Sequence, residues 1–253
     1  MRISVITVTF NALPALKKTM ASVMGQVRAD YEYIVVDGSS TDGTRDYLAQ
    51  EAAEAYRWIS EPDSGIYEAM NKGVRIARGD YCLFMNAGDC FVNSRVLSRI
   101  RPLLEDADIV LGNEIRVDED GAIEGFSPSR GAFSLENLLQ SSVSHQATFI
   151  RRELLIRHPY DESLRLVSDW KFILERFLEG GCRFQEVNED VCFFAAGGAT
   201  DKNNATGVEE RLSVLSAYPQ YRPIWQSPYR PSFFKKALRK GMLYFKKLQY
   251  ALS

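Results

Sequence analysis

The stretch Arg2-Ile3-Ser4-Val5-Ile6-Thr7-Val8-Thr9-Phe10-Asn11 places β-branched residues on both alternating sets of positions. A strand with one wet face shows apolar residues only at every second position. This pattern therefore predicts a strand buried on both faces, as in the interior of a parallel sheet. Asn11 is suited to cap the next helix, with Pro14 in its first turn and Leu13, Leu16, Met20 and Val23 on one stripe. Farther out, residues 31–36 form a second apolar strand ending at Asp37-Gly38, and a polar loop over 39–43 leads to a helix over 44–54. A short strand over 57–60, a helix marked by Ile66, Met70, Val74 and Ala77, and a strand over 81–85 follow. This alternation, continued to about residue 112, predicts βαβ units: an α/β protein with a mostly parallel sheet flanked by helices.

The second half is less regular. Asp120-Gly121 between Ile115-Arg116-Val117 and Ile123 predicts a hairpin. Ser168 is suited to cap a helix over 169–179 that Gly180-Gly181 closes. Residues 182–187 and 191–194 read as two further strands, and Gly197-Gly198 opens a polar loop that runs to Gly207. The expected organisation is one domain over 1–215, in halves of 1–112 and 113–215, followed by a tail over 216–253.

With 253 residues, 45% hydrophobic and 25% charged, the chain has the composition of a soluble globular protein, which excludes disorder and collagen-like repetition. Four cysteines without a C-x-x-C pair, and only two histidines, argue against a disulfide framework or a structural zinc. No signal peptide and no run of ~20 apolar residues stands out, so a cytoplasmic location is expected. Charge is unevenly placed. Residues 211–253 hold nine basic and no acidic side chains, leaving 22 basic and 33 acidic ones in residues 1–210. Two regions with different partners is the simplest reading.

Ligands of open parallel sheets bind beyond the carboxyl ends of the strands. Asp37, Asp63 and Asn86-Ala87-Gly88-Asp89 stand at three successive strand ends, where the fold gathers them into one crevice. No G-x-x-x-x-G-K-[ST] loop, no G-x-G-x-x-G after the first strand and no G-x-S-x-G elbow occurs, which excludes a P-loop NTPase and argues against dehydrogenase and serine-hydrolase chemistry. Carboxylates without a phosphate-cradling loop hold a diphosphate through a bridging Mg²⁺ or Mn²⁺, for which the single carboxylate of Asp89 suffices. Asp169 is a candidate base for an incoming hydroxyl, its other reading being stabilisation of a helix N-terminus.

At these residues the sequence resembles glycosyltransferase family 2, the inverting nucleotide-sugar enzymes of the GT-A fold. The resemblance is carried by residues 4–11, 35–44 and 60–73, then by Phe84-Met85-Asn86-Ala87-Gly88-Asp89, Ser144-His145-Gln146-Ala147, Val167-Ser168-Asp169-Trp170 and Gly197-Gly198. Within the family the run from Ser60 to Gly73 is most like bacterial enzymes of the colanic-acid type. The resemblance implies that Thr9 and Asp37 hold the nucleotide base, of a UDP-sugar by preference, and that Asp63 makes a second base or ribose contact. Asn71, Lys72 and Asn86 match the nucleotide-sugar-binding pattern, Asp89 the metal ligand and Asp169 the catalytic base. His145 is a candidate contact of donor or acceptor, its other reading being a hydrogen-bonded structural histidine, and Lys202 is a candidate contact of the diphosphate. Asn86 and Gly88 stand where the family often has Asp, so one carboxylate would anchor the metal. The implied reaction moves a single hexosyl or N-acetylhexosaminyl group to a hydroxyl of a glycan or lipid-linked acceptor in surface polysaccharide biosynthesis, since the Q-x-x-R-W motif of processive members is absent.

In the tail, Phe234, Ala237, Leu238, Met242, Phe245, Leu248 and Leu252 fall on one helical face and six of the basic residues on the other. A basic amphipathic helix over 233–250 fits docking on an anionic membrane surface, or packing on its own domain with the charges in water. No nucleic-acid-binding module accompanies the charge. A nucleotidyltransferase, or a non-catalytic nucleotide-sugar-binding or membrane scaffold protein, are the alternative readings.

Overall fold

In the computed structural model, residues 1–51, 56–118, 120–195, 204–226, 242–244, 246–247 and 249–250 are described. β1 (Ile3–Thr9) is buried at every position, as its two-sided apolar pattern requires. It lies parallel between β2 (Tyr31–Asp37) and β4 (Tyr81–Phe84), and β3 (Arg57–Ser60) extends the parallel set beyond β2. The register sets Thr9 beside Asp37 and Asp37 beside Ser60, so the polar ends of three strands lie level with one another.

The remaining strands of the described chain complete one sheet. They are β5 (Cys90–Phe91), β6 (Ile109–Val117), β7 (Ile123–Ser127), β8 (Thr148–Arg151) and β9 (Phe184–Ala195). The order is β3-β2-β1-β4-β8-β6-β9-β5, with β7 paired to β6 in the expected hairpin. β8 is antiparallel to both β4 and β6, so the parallel first half meets a mixed second half. The two strands expected over 182–187 and 191–194 are one, β9. Its polar middle stays in the sheet because the Asn113 amide on β6 donates to Asn188 (3.3 Å) and Asp190 (3.0 Å) across a register shift.

Helices α1 (Leu13–Met24), α2 (Thr44–Glu51), α3 (Ile66–Ile76), α4 (Val96–Ile100), α5 (Leu135–Gln140), α6 (Arg152–Arg157), α7 (Ser168–Glu179), α8 (Asn204–Ser216) and α9 (Arg222–Trp225) flank the sheet. Two expected caps are corrected. Asn11 has a positive φ of 48°, which turns its side chain away from α1; it accepts instead from the Thr41 N–H at 2.8 Å, and Asp42 receives the Leu13 N–H. Ser168 is the first residue of α7 rather than its cap, and its hydroxyl is buried without a partner. Gly180 and Gly181 close α7 with positive φ, as expected.

Past residue 215 the chain keeps contact with the domain: α9 packs on α5, and the Gln140 side chain donates to the Ile224 carbonyl at 2.9 Å. Most of the expected amphipathic helix lies outside the described residues. The part that is described rests on the domain, with Lys246 and Tyr250 both bonded to Asp190 and the Tyr250 ring edge-on to Phe193. Among the described residues no helix is long and apolar enough to cross a membrane.

Helix α3 owes its close approach to β1 to Gly73, where an added Cβ would stand 2.5 Å from Cγ2 of the buried Ile6. Gly73→Ala gains up to ~1 kcal/mol of helix propensity but forces a β-branched core side chain to move, at a cost of ~1–3 kcal/mol. Chemical denaturation is expected to find Gly73→Ala less stable than wild type. In an Ile6→Ala background the same substitution is expected to cost less.

Candidate active site

The site grows from the carboxyl ends of β1 to β4. Thr9 ends β1 with its hydroxyl buried and, among the described residues, unpartnered. Beside it Asp37 is fully buried and accepts from the Ser60 hydroxyl (2.7 Å) and the Ser40 N–H. Gly38 follows because nothing larger fits: a Cβ there would meet the Asp63 carboxylate at 2.6 Å and the Phe10 ring at 3.3 Å. Phe10, which the sequence reading left without a role, is 63% exposed at this corner. Burial pushes the Asp63 carboxyl up, against the opposing pull of the Gly65 N–H and of Lys72.

Asn71 and Lys72 lie on α3 and are engaged within the protein. The Asn71 amide donates to the Tyr160 carbonyl and to Glu162, both at 2.9 Å, and accepts from the Tyr160 N–H. Lys72 is held by Glu61, Glu68 and the Pro62 carbonyl. The geometry gives both residues positioning work, tying α3 to the segment before α7 and to the loop that carries Asp63.

The loop after β4 is clamped from α1, where Thr19 accepts from the Gly88 N–H and donates to the Asp89 carbonyl. Gly88 has φ of +111°, a turn that an L side chain rarely adopts, and the turn directs Asp89 inward. Each Asp89 oxygen accepts one bond, from the Gln146 amide (3.0 Å) and from the Ala195 N–H (3.1 Å). With little water around it, burial pushes this carboxyl up to about 6. Among the described residues no three acidic, histidine or cysteine side chains gather as a metal cluster. Asp89 still suits a hard cation. Each oxygen keeps a lone pair, its buried charge has no bonded cationic partner among the described residues, and Mg²⁺ commonly takes one or two protein carboxylates and fills its shell with phosphate oxygens and water.

Asp169, in the first turn of α7, is brought to the same crevice. Its Oδ2 lies 2.6 Å from His145 Nδ1, and its Oδ1 accepts from the Tyr67 hydroxyl (2.9 Å) and the Trp170 N–H (2.8 Å). Burial alone would push this carboxyl up, but those partners, His145 foremost, hold it below the usual carboxylate range. Burial pulls His145 down, while the Asp169 bond and charge prevail and lift it above the ordinary imidazole value. The other ring nitrogen of His145 lies 2.8 Å from the Asn86 side-chain amide, whose oxygen is buried and otherwise unpartnered. One continuous set of bonds thus runs from Asn86, beside Asp89, through His145 to Asp169. Glu114 of β6, pushed up by burial and bonded to Ser144 and Ser127, lies close enough for His145 to lower it.

Tyr67, Gln146 and Glu114 were invisible as site residues in the sequence. The first two lie inside quoted motifs, but only their tertiary partners show what they do. Lys202 and Gly197-Gly198 lie outside the described residues, although β9 delivers Ala195 to Asp89 immediately before them.

Residues 4–157 match the family model described as Glycosyl transferase family 2. A PGL/p-HBAD biosynthesis glycosyltransferase of Mycobacterium bovis is 33% identical over 182 residues, covering 69% of this chain and 69% of that protein. An uncharacterized glycosyltransferase of Mycobacterium tuberculosis is 36% identical over 213 residues, covering 81% and 79%. Among solved structures, Staphylococcus aureus TarS 1–349 in complex with UDP-GlcNAc aligns with a TM-score of 0.65 at 18% identity, over 88% of this chain and 72% of that one. The mannosyltransferase PcManGT from Pyrobaculum calidifontis, in complex with GDP-Man and Mn²⁺, aligns with a TM-score of 0.64 at 18% identity, over 97% and 70%. The architecture is GT-A-like. This chain belongs to glycosyl transferase family 2 and is a glycosyltransferase.

Proposed function

We propose that the protein transfers one sugar from a nucleotide-sugar, a UDP-sugar by preference, to a hydroxyl of a glycan or lipid-linked acceptor, with inversion and with help from a divalent metal. The observation that carries this reading is the bonded path Asn86–His145–Asp169. It sets an ionised carboxylate at a fixed place beside the loop that bears Asp89. In this reading Thr9, Asp37 and Asp63 receive the nucleoside, and the exposed Phe10 ring offers a face to the base. Asp169 takes the proton of the acceptor hydroxyl as that oxygen attacks the anomeric carbon. The bond from the anomeric carbon to the diphosphate oxygen breaks on the opposite face, which inverts the configuration. Being ionised throughout the physiological range, Asp169 is always ready to accept. His145 and Tyr67 fix its position and leave one lone pair of Oδ2 for the incoming proton. A Mg²⁺ or Mn²⁺ ion held by Asp89 would neutralise the departing diphosphate. Lys202, outside the described residues, would reach that diphosphate from its loop.

The relatives named for PGL/p-HBAD biosynthesis do not speak for a colanic-acid type. That subtype, and a role in surface polysaccharide synthesis, rest on the run from Ser60 to Gly73. Membrane docking through residues 233–250 belongs to the same reading. Lys246 counts against it, because Asp190 already engages it.

Calorimetry is expected to find UDP binding that strengthens with Mn²⁺ in wild type and is lost in Asp89→Ala; metal-independent binding that survives the substitution would overturn the metal assignment. With a UDP-sugar donor found by screening, Asp169→Asn is expected to lower kcat by ~10²–10⁴-fold while UDP affinity stays within a factor of about three of wild type. Wild-type turnover in that variant would remove Asp169 as the base.

Asp89 also gives a pH signature. Its folded-state value near 6 lies above the ordinary 3.8, so the folded protein holds this proton more tightly than the unfolded chain. Stability contributed by the group is therefore present at low pH, falls as pH rises from about 4 to about 6, and is flat above. The loss is of order ~3 kcal/mol. Thermal melts are expected to show Asp89→Asn gaining stability relative to wild type as pH rises from 4 to 7.5, although UDP and Mn²⁺ no longer stabilise the variant. A difference between the two that does not change with pH would contradict this.

A further inference from the structure

Among the described residues, Arg211 of α8 pairs with no anion. Its guanidinium lies 4.5 Å from the centre of the Trp170 ring, and Nη2 donates to the Ser142 hydroxyl at 2.6 Å. Neighbouring acids are otherwise engaged. Glu210 accepts the Arg165 N–H (2.7 Å) and the Leu166 N–H (2.9 Å), while Asp169 bonds His145, Tyr67 and the Trp170 N–H rather than Arg211. Arg211 feels the Asp169 charge without bonding to it, and burial pulls its affinity for a proton below the ordinary arginine value. A half-buried guanidinium that has given up water for an aromatic ring and one hydroxyl keeps most of its five N–H donors open. Their planar fork matches a phosphate or carboxylate in bidentate fashion.

The position indicates which substrate would bring that anion. The donor residues stand at the ends of β1 to β4, and Asp169 meets them through His145 and Asn86. Arg211 is reached through Trp170 and the segment after α5, all contributed by the second half of the chain. A base faces the hydroxyl it deprotonates, so an acceptor held at Asp169 comes near the neighbour of Trp170 that carries this cation. We propose that Arg211, with Ser142 and Trp170, forms an oxyanion subsite that selects acceptors bearing a phosphate or carboxylate close to the reacting hydroxyl. This rests on the reading of Asp169 as the base. The anion could belong to a phosphorylated or to an acidic sugar acceptor, which share this chemistry.

The test uses the full chain in metal-free buffer. Tryptophan fluorescence is followed during titration with inorganic phosphate, glucuronate or glucose, since the guanidinium lies on the Trp170 ring. Saturable responses to phosphate or glucuronate but not glucose are expected in wild type. They should be at least tenfold weaker in Arg211→Met, which keeps the apolar stem, intermediate in Arg211→Lys, and unchanged in Asp89→Ala. A stronger phosphate response assigns a phosphorylated acceptor, a stronger glucuronate response an acidic sugar. UDP affinity, measured by calorimetry with Mn²⁺, should be the same for Arg211→Met and wild type. No anion response in wild type, an equal response in Arg211→Met, or its loss in Asp89→Ala would overturn the proposal. A fall in UDP affinity with Arg211 would overturn it in favour of a donor role. If circular dichroism shows that Arg211→Met does not fold, Arg211→Lys decides: an affinity equal to wild type overturns the forked site. Failure of wild type to bind UDP would instead sink the donor reading and leave the anion result standing.

Discussion

A carboxylate removed from water is costly unless charge and hydrogen bonds replace its hydration, and much of this molecule is arranged around that requirement at Asp169. Its partners come from separate parts of the chain: His145 from the turn before β8, Tyr67 from α3, and the Trp170 N–H from α7 itself. Of the three, Tyr67 reaches Asp169 from the parallel part of the sheet, so full stabilisation of this charge draws on the seam between α3 and α7. The same seam is closed independently by Asn71, which grips the backbone of Tyr160 from α3. Tyr160 in turn packs edge-on against Tyr67 and Phe172. The proposed base is thus only as well placed as the contact between α3 and the segment leading into α7.

The two ends of the sheet treat buried acids in opposite ways. At the amino end Glu32 accepts from Ser4, the N–H groups of Arg78 and Gly79, and Arg57, whose guanidinium lies 2.6 Å away. These partners overcome burial and hold Glu32 below the usual range. At the carboxyl end Asp89 has two neutral donors and, among the described residues, no bonded cation, and burial wins. One carboxylate has its charge answered by a bonded guanidinium and the other does not.

The parallel half of the sheet was legible because its signal is local. A strand covered on both faces shows β-branched or apolar residues on both alternating sets of positions, as Ile3 to Thr9 and Tyr33 to Val36 do. Asp37, Asp63 and Asp89 could be placed at strand ends because strand ends follow from strands. Asn11 and Ser168 misled because capping tendency belongs to a residue type, whereas the entry angle of the chain decides which residue occupies the cap. β9 read as two strands because Asn188 to Asp190 are polar, and only their partner Asn113 explains why they stay in the sheet. The pairing of His145 with Asp169, the role of Tyr67 and the exposed edge of Arg211 had no local signal, since each depends on residues far apart in the chain. The family resemblance could point to Asp169 but not to what holds it.

The sheet order also governs how the chain can be assembled in time. β1 to β4 are contiguous in sequence and pair with one another, yet β4 must wait for β8, and β6 for β9, before either has all its neighbours. During synthesis the nascent amino-terminal half exposes the β4 edge, Tyr81-Cys82-Leu83-Phe84, a flat apolar strand of the kind that templates wrong pairings. Its natural cover, Thr148 to Arg151, is brief and runs antiparallel, so it can close over the edge late without threading through structure already formed. The edge at Tyr81 and Cys82 therefore stays unpaired between the emergence of β4 and that of β8, and the arrival of β8 ends that interval.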